Sequence, residues 1–281
     1  MTDSGTWKTV LELAEPKNIY FGDHIDCRSS NIKNRTYFCN WWPSDSKATY
    51  RSYKLSNEVL YDDTFGYDVN KNYFRCDEFD SLIASKKKKL LVFGCSFTFG
   101  TGLPEEHVWP SILSKMISYK TGDELDIINL SIPGGSYSDI DRLSNYIYMF
   151  SVDYICCLLP PLPRKSFIDL NGHFQSMSMA TDGKNKIHKL FDDMVKYSYG
   201  TFEYEQLVVM KKLEAMAKIL GAKFCFINPF GGTINLEDAE IISYSNMYNI
   251  KPITTQARDI SHPGNKYQIE VAHTMMEKLY E

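Results

Sequence analysis

Three side chains of this sequence have the types and the spacing needed to activate a hydroxyl for nucleophilic attack. Asp259 precedes His262 by three residues, so its carboxylate can reach the imidazole Nδ1–H within one turn of chain. A carboxylate in that position fixes the histidine tautomer and stabilises the imidazolium. The other ring nitrogen, Nε2, can then take a proton from the hydroxyl of Ser96, which needs a base to become nucleophilic. This combination predicts a serine hydroxyl that a histidine activates as a nucleophile.

Each of these residues also has a non-catalytic interpretation. Ser96 could cap the helix that follows it, and Asp259 or Ser261 could cap the last helix, with Pro263 near its first turn. His262 taken alone could be an ordinary surface or buried histidine. The occurrence of all three segments in this order favours the catalytic interpretation.

The surrounding elements predict a parallel sheet with helices on both faces. Short apolar runs predict buried strands at residues 90–93, 126–130, 153–159 and 223–228. Apolar residues at helical spacing predict helices at residues 108–119, 136–150, 203–220 and 264–279. This alternation is typical of βαβ units and predicts an α/β fold, a three-layer α/β/α sandwich with a mostly parallel sheet. Ligands bind at the carboxyl ends of such strands.

The composition and the pattern of apolar residues change near residue 88. Residues 1–88 are rich in Asn, Asp, Tyr and Trp, which predicts turns and short strands in an irregular, aromatic extension that packs on the core. Residues 89–281 carry the regular α/β pattern. Within them, residues 160–200 interrupt the alternation, and their length predicts a lid-like insertion or a partly mobile segment.

Composition narrows the classes of function and location. With 281 residues, 43% hydrophobic and 14% aromatic, the chain can bury a full core. A net charge of −4 argues against nucleic acid or an anionic membrane as partner. No apolar run is long enough for a membrane span, and residues 1–16 lack the apolar core of a signal peptide. We therefore expect a cytoplasmic protein with reduced thiols, with release by lysis or assembly into a larger particle left open.

Three blocks of the sequence together resemble a known family. Gly94-Cys95-Ser96, with Gly100 beyond it, follows the first core strand. Asn129 and Gly134 form N-x-x-x-x-G after the second strand, and Asp259 and His262 form D-x-x-H before the last helix. In these blocks the sequence resembles the SGNH hydrolases, also called GDSL-type esterases and lipases.

Two further segments extend the resemblance to residues 70–281. Residues 73–79 (YFRCDEF) are similar to the "GFR-x-x-E" stretch that precedes the nucleophile strand in some bacterial and phage-encoded members. Trp109-Pro110 is similar to the aromatic-proline pair of the following helix. The resemblance implies a flavodoxin-like α/β/α domain and, for a phage-encoded member, association with the virion.

The resemblance also implies a role for each matched residue. Ser96 is then the nucleophile, His262 the base, and Asp259 the residue that orients the base. The backbone N–H groups of Ser96 and Gly134 are the implied oxyanion donors. Gly135 is an alternative to Gly134, shifted by one residue, and a substrate-binding candidate.

Two departures from the family pattern affect this assignment. Cys95 replaces the aspartate of G-D-S, and we expect it to point into the core as a small hydrophobe. The G-x-N-D block is missing, because residues 159–164 read LPPLPR after the third strand. Arg164 could replace the missing donor of the oxyanion hole, or be an exposed loop arginine. Asn228 could line the same crevice, or be a buried turn asparagine.

Other motifs do not support a cofactor or a metal. The region 94–102 matches neither the P-loop, nor the G-x-G-x-x-G fingerprint, nor the G-x-S-x-G elbow. His24, Asp26 and Cys27 lack a further ligand at metal-binding spacing. We expect neither cofactor nor metal.

The sequence thus predicts a serine esterase or deacylase that hydrolyses a small acyl ester. By family analogy the substrate is an acetyl ester on a carbohydrate, and an acyltransferase would use the same residues. The alternative is an SGNH-like module of weak or lost catalysis that binds a glycan or protein in a larger assembly. An aromatic surface formed by Trp41, Trp42, Tyr50 and Tyr53 would serve that alternative.

Overall fold

A four-stranded parallel sheet forms the centre of the molecule in a computed structural model. The structure describes residues 27–42, 45–54, 64–162, 164–168, 174–178, 186–229, 256–259 and 262–281. The core strands are β4 (Lys88–Phe93), β5 (Leu125–Asn129), β6 (Tyr154–Leu158) and β9 (Lys223–Ile227). They are ordered β5-β4-β6-β9, which in chain order of the core strands is 2-1-3-4, as in the flavodoxin-like fold. The predicted α/β class is confirmed.

Alternate side chains of the strands build two apolar layers, one on each face of the sheet. Leu91 and Phe93 of β4 pack with α5 (Tyr137–Ser144) and with α6 (Lys186–Leu220). Leu90 and Val92 of the same strand pack with α4 (Trp109–Thr121) and α7 (Asn265–Tyr280). Because side chains on both faces of the strand are buried, residues 90–93 of β4 form a continuous apolar run. The result is the predicted three-layer sandwich.

The N-terminal region contains a second, antiparallel sheet. Its strands are β1 (Cys27–Ser29), β2 (Tyr37–Cys39) and β3 (Tyr67–Val69), in that order. Two helices, α1 (Lys47–Lys54) and α2 (Phe79–Ala84), belong to the same region. Trp42 and Tyr67 pack with Phe99, so aromatic residues join this sheet to the core domain.

A disulfide corrects the expectation that the thiols are reduced. Cys27 and Cys39 face each other across β1 and β2 and form a disulfide bond. Their pairing depends on the register of two strands, which spacing in the sequence does not reveal. The cysteines at 76, 95, 156, 157 and 225 are free and buried, so Cys95 lies in the interior as expected.

The segment after β6 differs from its prediction in one respect. The described residues between 160 and 200 include an antiparallel hairpin of β7 (Arg164–Ile168) and β8 (Phe174–Ser178), followed by the first turns of α6. The predicted start of that helix at residue 203 is wrong, because α6 begins at Lys186. Phe191, Val195 and Phe202 continue the buried face of the helix into the core, across polar residues that obscure the apolar spacing.

The remaining helices lie close to the predicted positions. The helix predicted at residues 136–150 is shorter, because α5 ends at Ser144 and a separate 3-10 turn, Ile147–Met149, follows it. A second 3-10 turn, Glu105–His107, precedes α4. Within the described part of the chain, none of the helices combines the length and apolarity that crossing a membrane requires.

Candidate active site

Ser96 lies where the central strand β4 ends, at the start of a single helical turn, α3 (Ser96–Phe99). Cys95 precedes the turn in an extended conformation, and the Ser96 side chain is buried except at one edge, with the residue 6% exposed. As the first residue of a helix, Ser96 has a backbone N–H without an acceptor inside that helix. The serine therefore presents both a hydroxyl and an amide donor at the carboxyl edge of the sheet.

Glycine is required on both sides of this turn. A Cβ atom at Gly94 would lie 2.0 Å from Thr98 Oγ1 and 2.8 Å from the backbone oxygen of Leu158. Gly100 ends α3 with φ +79°, a left-handed conformation that glycine adopts without a steric penalty. The G-C-S-x-x-x-G pattern thus allows the chain to turn tightly between two neighbouring strands.

Asp259 and His262 contact each other through both carboxylate oxygens. Oδ2 is hydrogen-bonded to His262 Nδ1, and Oδ1 accepts a hydrogen bond from the His262 backbone N–H at 3.2 Å. Asp259 is 1% exposed, whereas the His262 side chain is 13% exposed. A buried carboxylate at Nδ1 leaves Nε2 as the nitrogen available to a reacting group.

The histidine packs against the helical turn that carries the serine. The Phe97 ring meets the imidazole edge-on, with ring centroids 5.6 Å apart. Gln268 of α7 donates from Nε2 to the Phe97 carbonyl at 3.1 Å and accepts from the Trp109 N–H at 2.9 Å. Among the described residues no hydrogen bond joins the Ser96 hydroxyl to His262, a contact that in free enzymes is often long and tightens only when substrate binds.

The loop after β5 approaches the same turn. Asn129 donates from Nδ2 to the Thr98 carbonyl at 3.2 Å, which ties the second sequence block to the first. Gly134 has φ +74°, so a left-handed turn sets the direction of its backbone. The Gly135 N–H donates to the Ile132 carbonyl at 2.8 Å. The hydrogen of Gly135 is therefore used within the turn, which argues against Gly135 as an amide donor to a ligand.

Arg164 and Asn228 follow the two remaining core strands. Arg164 begins β7 just beyond β6, and its Nη1 is buried with no hydrogen-bond partner among the residues that the structure describes. A buried N–H of a charged group without an acceptor is costly, so a ligand oxygen bound there would be stabilising. Asn228 follows β9 and is 2% exposed, as the buried-turn interpretation requires.

The structure also reveals a buried network that sequence reasoning missed. Arg258, next to Asp259, forms an ion pair with Asp45, and both side chains are 0% exposed. The two residues are 213 positions apart, and no sequence signal connects them. Gln268 has no sequence signal either, because its hydrogen bonds to Phe97 and Trp109 form only when α7 packs against the serine turn.

The described residues contain no group of three His, Cys, Asp or Glu side chains that could hold a metal ion. His24 and Asp26 lie outside the described residues, and Cys27 is in a disulfide. Burial raises the pKa of the Cys76 thiol to about 12 and raises that of Cys157 as well, so these thiols are neutral near pH 7.

Comparisons with known proteins give structural neighbours only. No protein-family model matches the chain, and no curated protein does. Its neighbours among solved structures include several esterases and a lipolytic protein of the G-D-S-L family.

Three of these neighbours illustrate the similarity. TesA has a TM-score of 0.43 and 15% identity, over 69% of this chain and 98% of TesA. The psychrotrophic esterase EstA from Pseudoalteromonas sp. has a TM-score of 0.41 and 13% identity, over 68% of this chain and 96% of EstA. The acetyl-xylooligosaccharide esterase Axe2 from Geobacillus stearothermophilus has a TM-score of 0.36 and 11% identity, over 71% of this chain and 97% of that chain.

Proposed function

We propose that this protein is a serine esterase in which Ser96 is the nucleophile, His262 the general base and Asp259 the residue that orients the base. The observation that carries the proposal is the buried Asp259 carboxylate hydrogen-bonded to His262 Nδ1, beside the turn that begins at Ser96. A histidine held in this way has the Nε2 lone pair that a serine hydroxyl needs.

The reaction follows from this arrangement of groups. Ser96 Oγ attacks the ester carbonyl carbon while His262 Nε2 takes the hydroxyl proton. Collapse of the tetrahedral intermediate breaks the bond to the alkoxy group, which leaves as an alcohol with the proton from Nε2. Water then attacks the acyl-serine and loses a proton to Nε2. The bond between the acyl carbon and Ser96 Oγ breaks, Nε2 returns the proton to Oγ, and the carboxylic acid departs. Asp259 stabilises the imidazolium in both steps.

The negative oxygen of the intermediate needs hydrogen-bond donors that are in place beforehand. We assign the backbone N–H groups of Ser96 and Gly134 to this role. Arg164 is the proposed third donor, in place of the missing G-x-N-D block, because its Nη1 is buried, has no partner among the described residues, and lies on the strand that follows β6. A guanidinium suits an oxyanion because its donors are charged and fixed in a plane.

The proposed substrate class is a small acyl ester, with an acetyl group on a carbohydrate as the favoured case. The missing block favours a second candidate, a binding module that has lost catalysis. An aromatic surface for that module receives little support, because Trp42 is 2% exposed and Tyr50 is 3% exposed. Trp41 packs on Tyr50 at a centroid distance of 5.7 Å.

Labelling with a fluorophosphonate and turnover of p-nitrophenyl acetate test the proposal together. The wild type is compared with Ser96→Ala and with the control Ser81→Ala, which changes a serine of helix α2. We expect labelling and turnover in the wild type and the control, and neither in Ser96→Ala. A folded wild type that neither labels nor hydrolyses any ester of an acetyl-to-octanoyl series would contradict the proposal and favour binding.

A further inference from the structure

Residues of the N-terminal region bind the Arg258 guanidinium. Its Nε donates to Asp45 Oδ1 at 3.1 Å and Oδ2 at 3.2 Å, and Nη2 also donates to that carboxylate. Nη1 donates to the Phe65 carbonyl at 3.0 Å, and Nη2 to the Asn40 carbonyl at 3.1 Å. The guanidinium also lies 3.7 Å from the ring centroid of Phe65 and 4.1 Å from that of Trp41. Hydrogen bonds and stacking fix both its position and its plane.

A closed circuit of hydrogen bonds connects this ion pair to the loop that follows the serine turn. The Arg258 N–H donates to the Gly102 carbonyl at 2.8 Å. The Gly102 N–H donates to Tyr67 Oη at 2.7 Å, and the Tyr67 hydroxyl donates to Asp45 Oδ2 at 2.5 Å. Burial and the neighbouring Asp45 carboxylate raise the pKa of Tyr67 well above its ordinary value, so the phenol keeps the proton it donates.

The circuit passes directly beside the carboxylate of the candidate site. A Cβ atom at Gly102 would lie 3.0 Å from Asp259 Oδ1 and 2.8 Å from Ala257 Cβ. Asp259 is the next residue after Arg258, so a shift of the Arg258 backbone moves the Asp259 carboxylate with it. Contacts from the N-terminal region thereby help to position the Asp259 carboxylate, which lies outside that region.

We propose that Arg258 is a positioning residue of the active site: its ion pair with Asp45 lets the N-terminal region hold Asp259 in register with His262. This inference rests on the proposed esterase function. It assigns the region before β4 a part in catalysis, because an arginine left buried without Asp45 would move toward solvent and carry its neighbour with it.

The test uses the full chain with Asp45→Asn and the milder Tyr67→Phe. Asp77→Asn is the matched control, because Asp77 is an acidic residue of the same region that pairs with Arg35 and not with Arg258. For each variant kcat and KM are measured on p-nitrophenyl acetate, because a positioning residue lowers kcat at nearly constant KM, with thermal unfolding as the check of folding. Displacements near 1 Å at a catalytic group cost ~10²-fold in rate.

For Asp45→Asn we expect kcat to fall about 10- to 100-fold with KM changed less than about threefold. Tyr67→Phe should lower kcat in the same way but by a smaller factor, again with little change in KM. Asp77→Asn should change neither kcat nor KM.

Two outcomes would overturn the inference. If Asp45→Asn and Tyr67→Phe keep the kcat of the wild type, or lose activity only in proportion to lost folded protein, Arg258 is structural alone. If the wild type itself has no esterase activity that depends on Ser96, the proposed function fails and the inference with it. The Ser96→Ala comparison separates these two failures.

Discussion

The exchange Asp259→Asn tests the chemistry of the site with a minimal change of shape. In the structure Asp259 Oδ1 accepts the backbone N–H of His262 at 3.2 Å, while Oδ2 faces Nδ1. An asparagine would keep its carbonyl oxygen on the backbone N–H, and its NH2 group would then face Nδ1. Because an amide nitrogen only donates, Nδ1 would have to accept, and the ring proton would move to Nε2.

A histidine protonated at Nε2 cannot take the proton of Ser96. The corresponding change in a Ser-His-Asp enzyme costs ~10⁴ in kcat, and at ~1.36 kcal/mol per tenfold this equals about 5.4 kcal/mol of transition-state stabilisation. We expect a loss of that order here. KM should change little, since neither carboxylate oxygen needs to contact substrate.

The assay is the kcat of Asp259→Asn on p-nitrophenyl acetate, together with its rate of fluorophosphonate labelling. Asp153→Asn is the control, because Asp153 accepts the Lys89 N–H at 2.9 Å at the opposite end of the sheet. Both variants should unfold within a few degrees of the wild type. A folded Asp259→Asn with more than about a tenth of the wild-type kcat would refute the assignment of Asp259.

Three further predictions concern the arginine and the cysteines. Arg164→Ala should lower kcat about 10²- to 10³-fold if its guanidinium binds the oxyanion, with Lys165→Ala as the control; a loss confined to KM would instead place Arg164 in substrate binding. Reduction of Cys27–Cys39, which are 12 residues apart, should lower the free energy of unfolding by about 3 kcal/mol; equal urea midpoints with and without dithiothreitol would contradict this. Burial raises the pKa of Cys76 to about 12, whereas in the unfolded chain the thiol loses its proton above about pH 8.5. The folded state therefore binds more protons in that range, and the free energy of unfolding should fall as the pH rises from about 8.5 toward 12. Iodoacetamide should alkylate Cys76 only after unfolding, and rapid alkylation of the folded protein at pH 8, seen by mass spectrometry, would show that the thiol is accessible.

The regular elements of the core could be predicted because their cause is local. The apolar run that became β4 is buried on both faces, and a strand of that kind reads as continuous hydrophobic sequence. The start of α6 could not be predicted, because the apolar residues of its first turns are separated by polar ones. Phe191 and Val195 are buried only because tertiary packing brings this part of the helix against the core. The same holds for the Cys27–Cys39 pair, which depends on strand register.

In the candidate site, too, only the locally determined features could be predicted from the sequence. The spacing of Asp259 and His262 predicts that the carboxylate can reach Nδ1, because two side chains three residues apart stay close in most backbone conformations. This hydrogen bond is present in the structure. That these residues catalyse ester hydrolysis stays a prediction.

The chain by itself determined the sandwich, through apolar runs at strand and helix spacing, and the local geometry of the Asp259 segment. Only the tertiary structure decided which distant groups hold that segment. Arg258 meets Asp45 across 213 residues, and Gln268 joins α7 to the serine turn, through contacts that depend on strand order and helix packing. A hydrogen bond between residues far apart in sequence has no local signature, because its energy is gained only after the whole fold has brought its partners together.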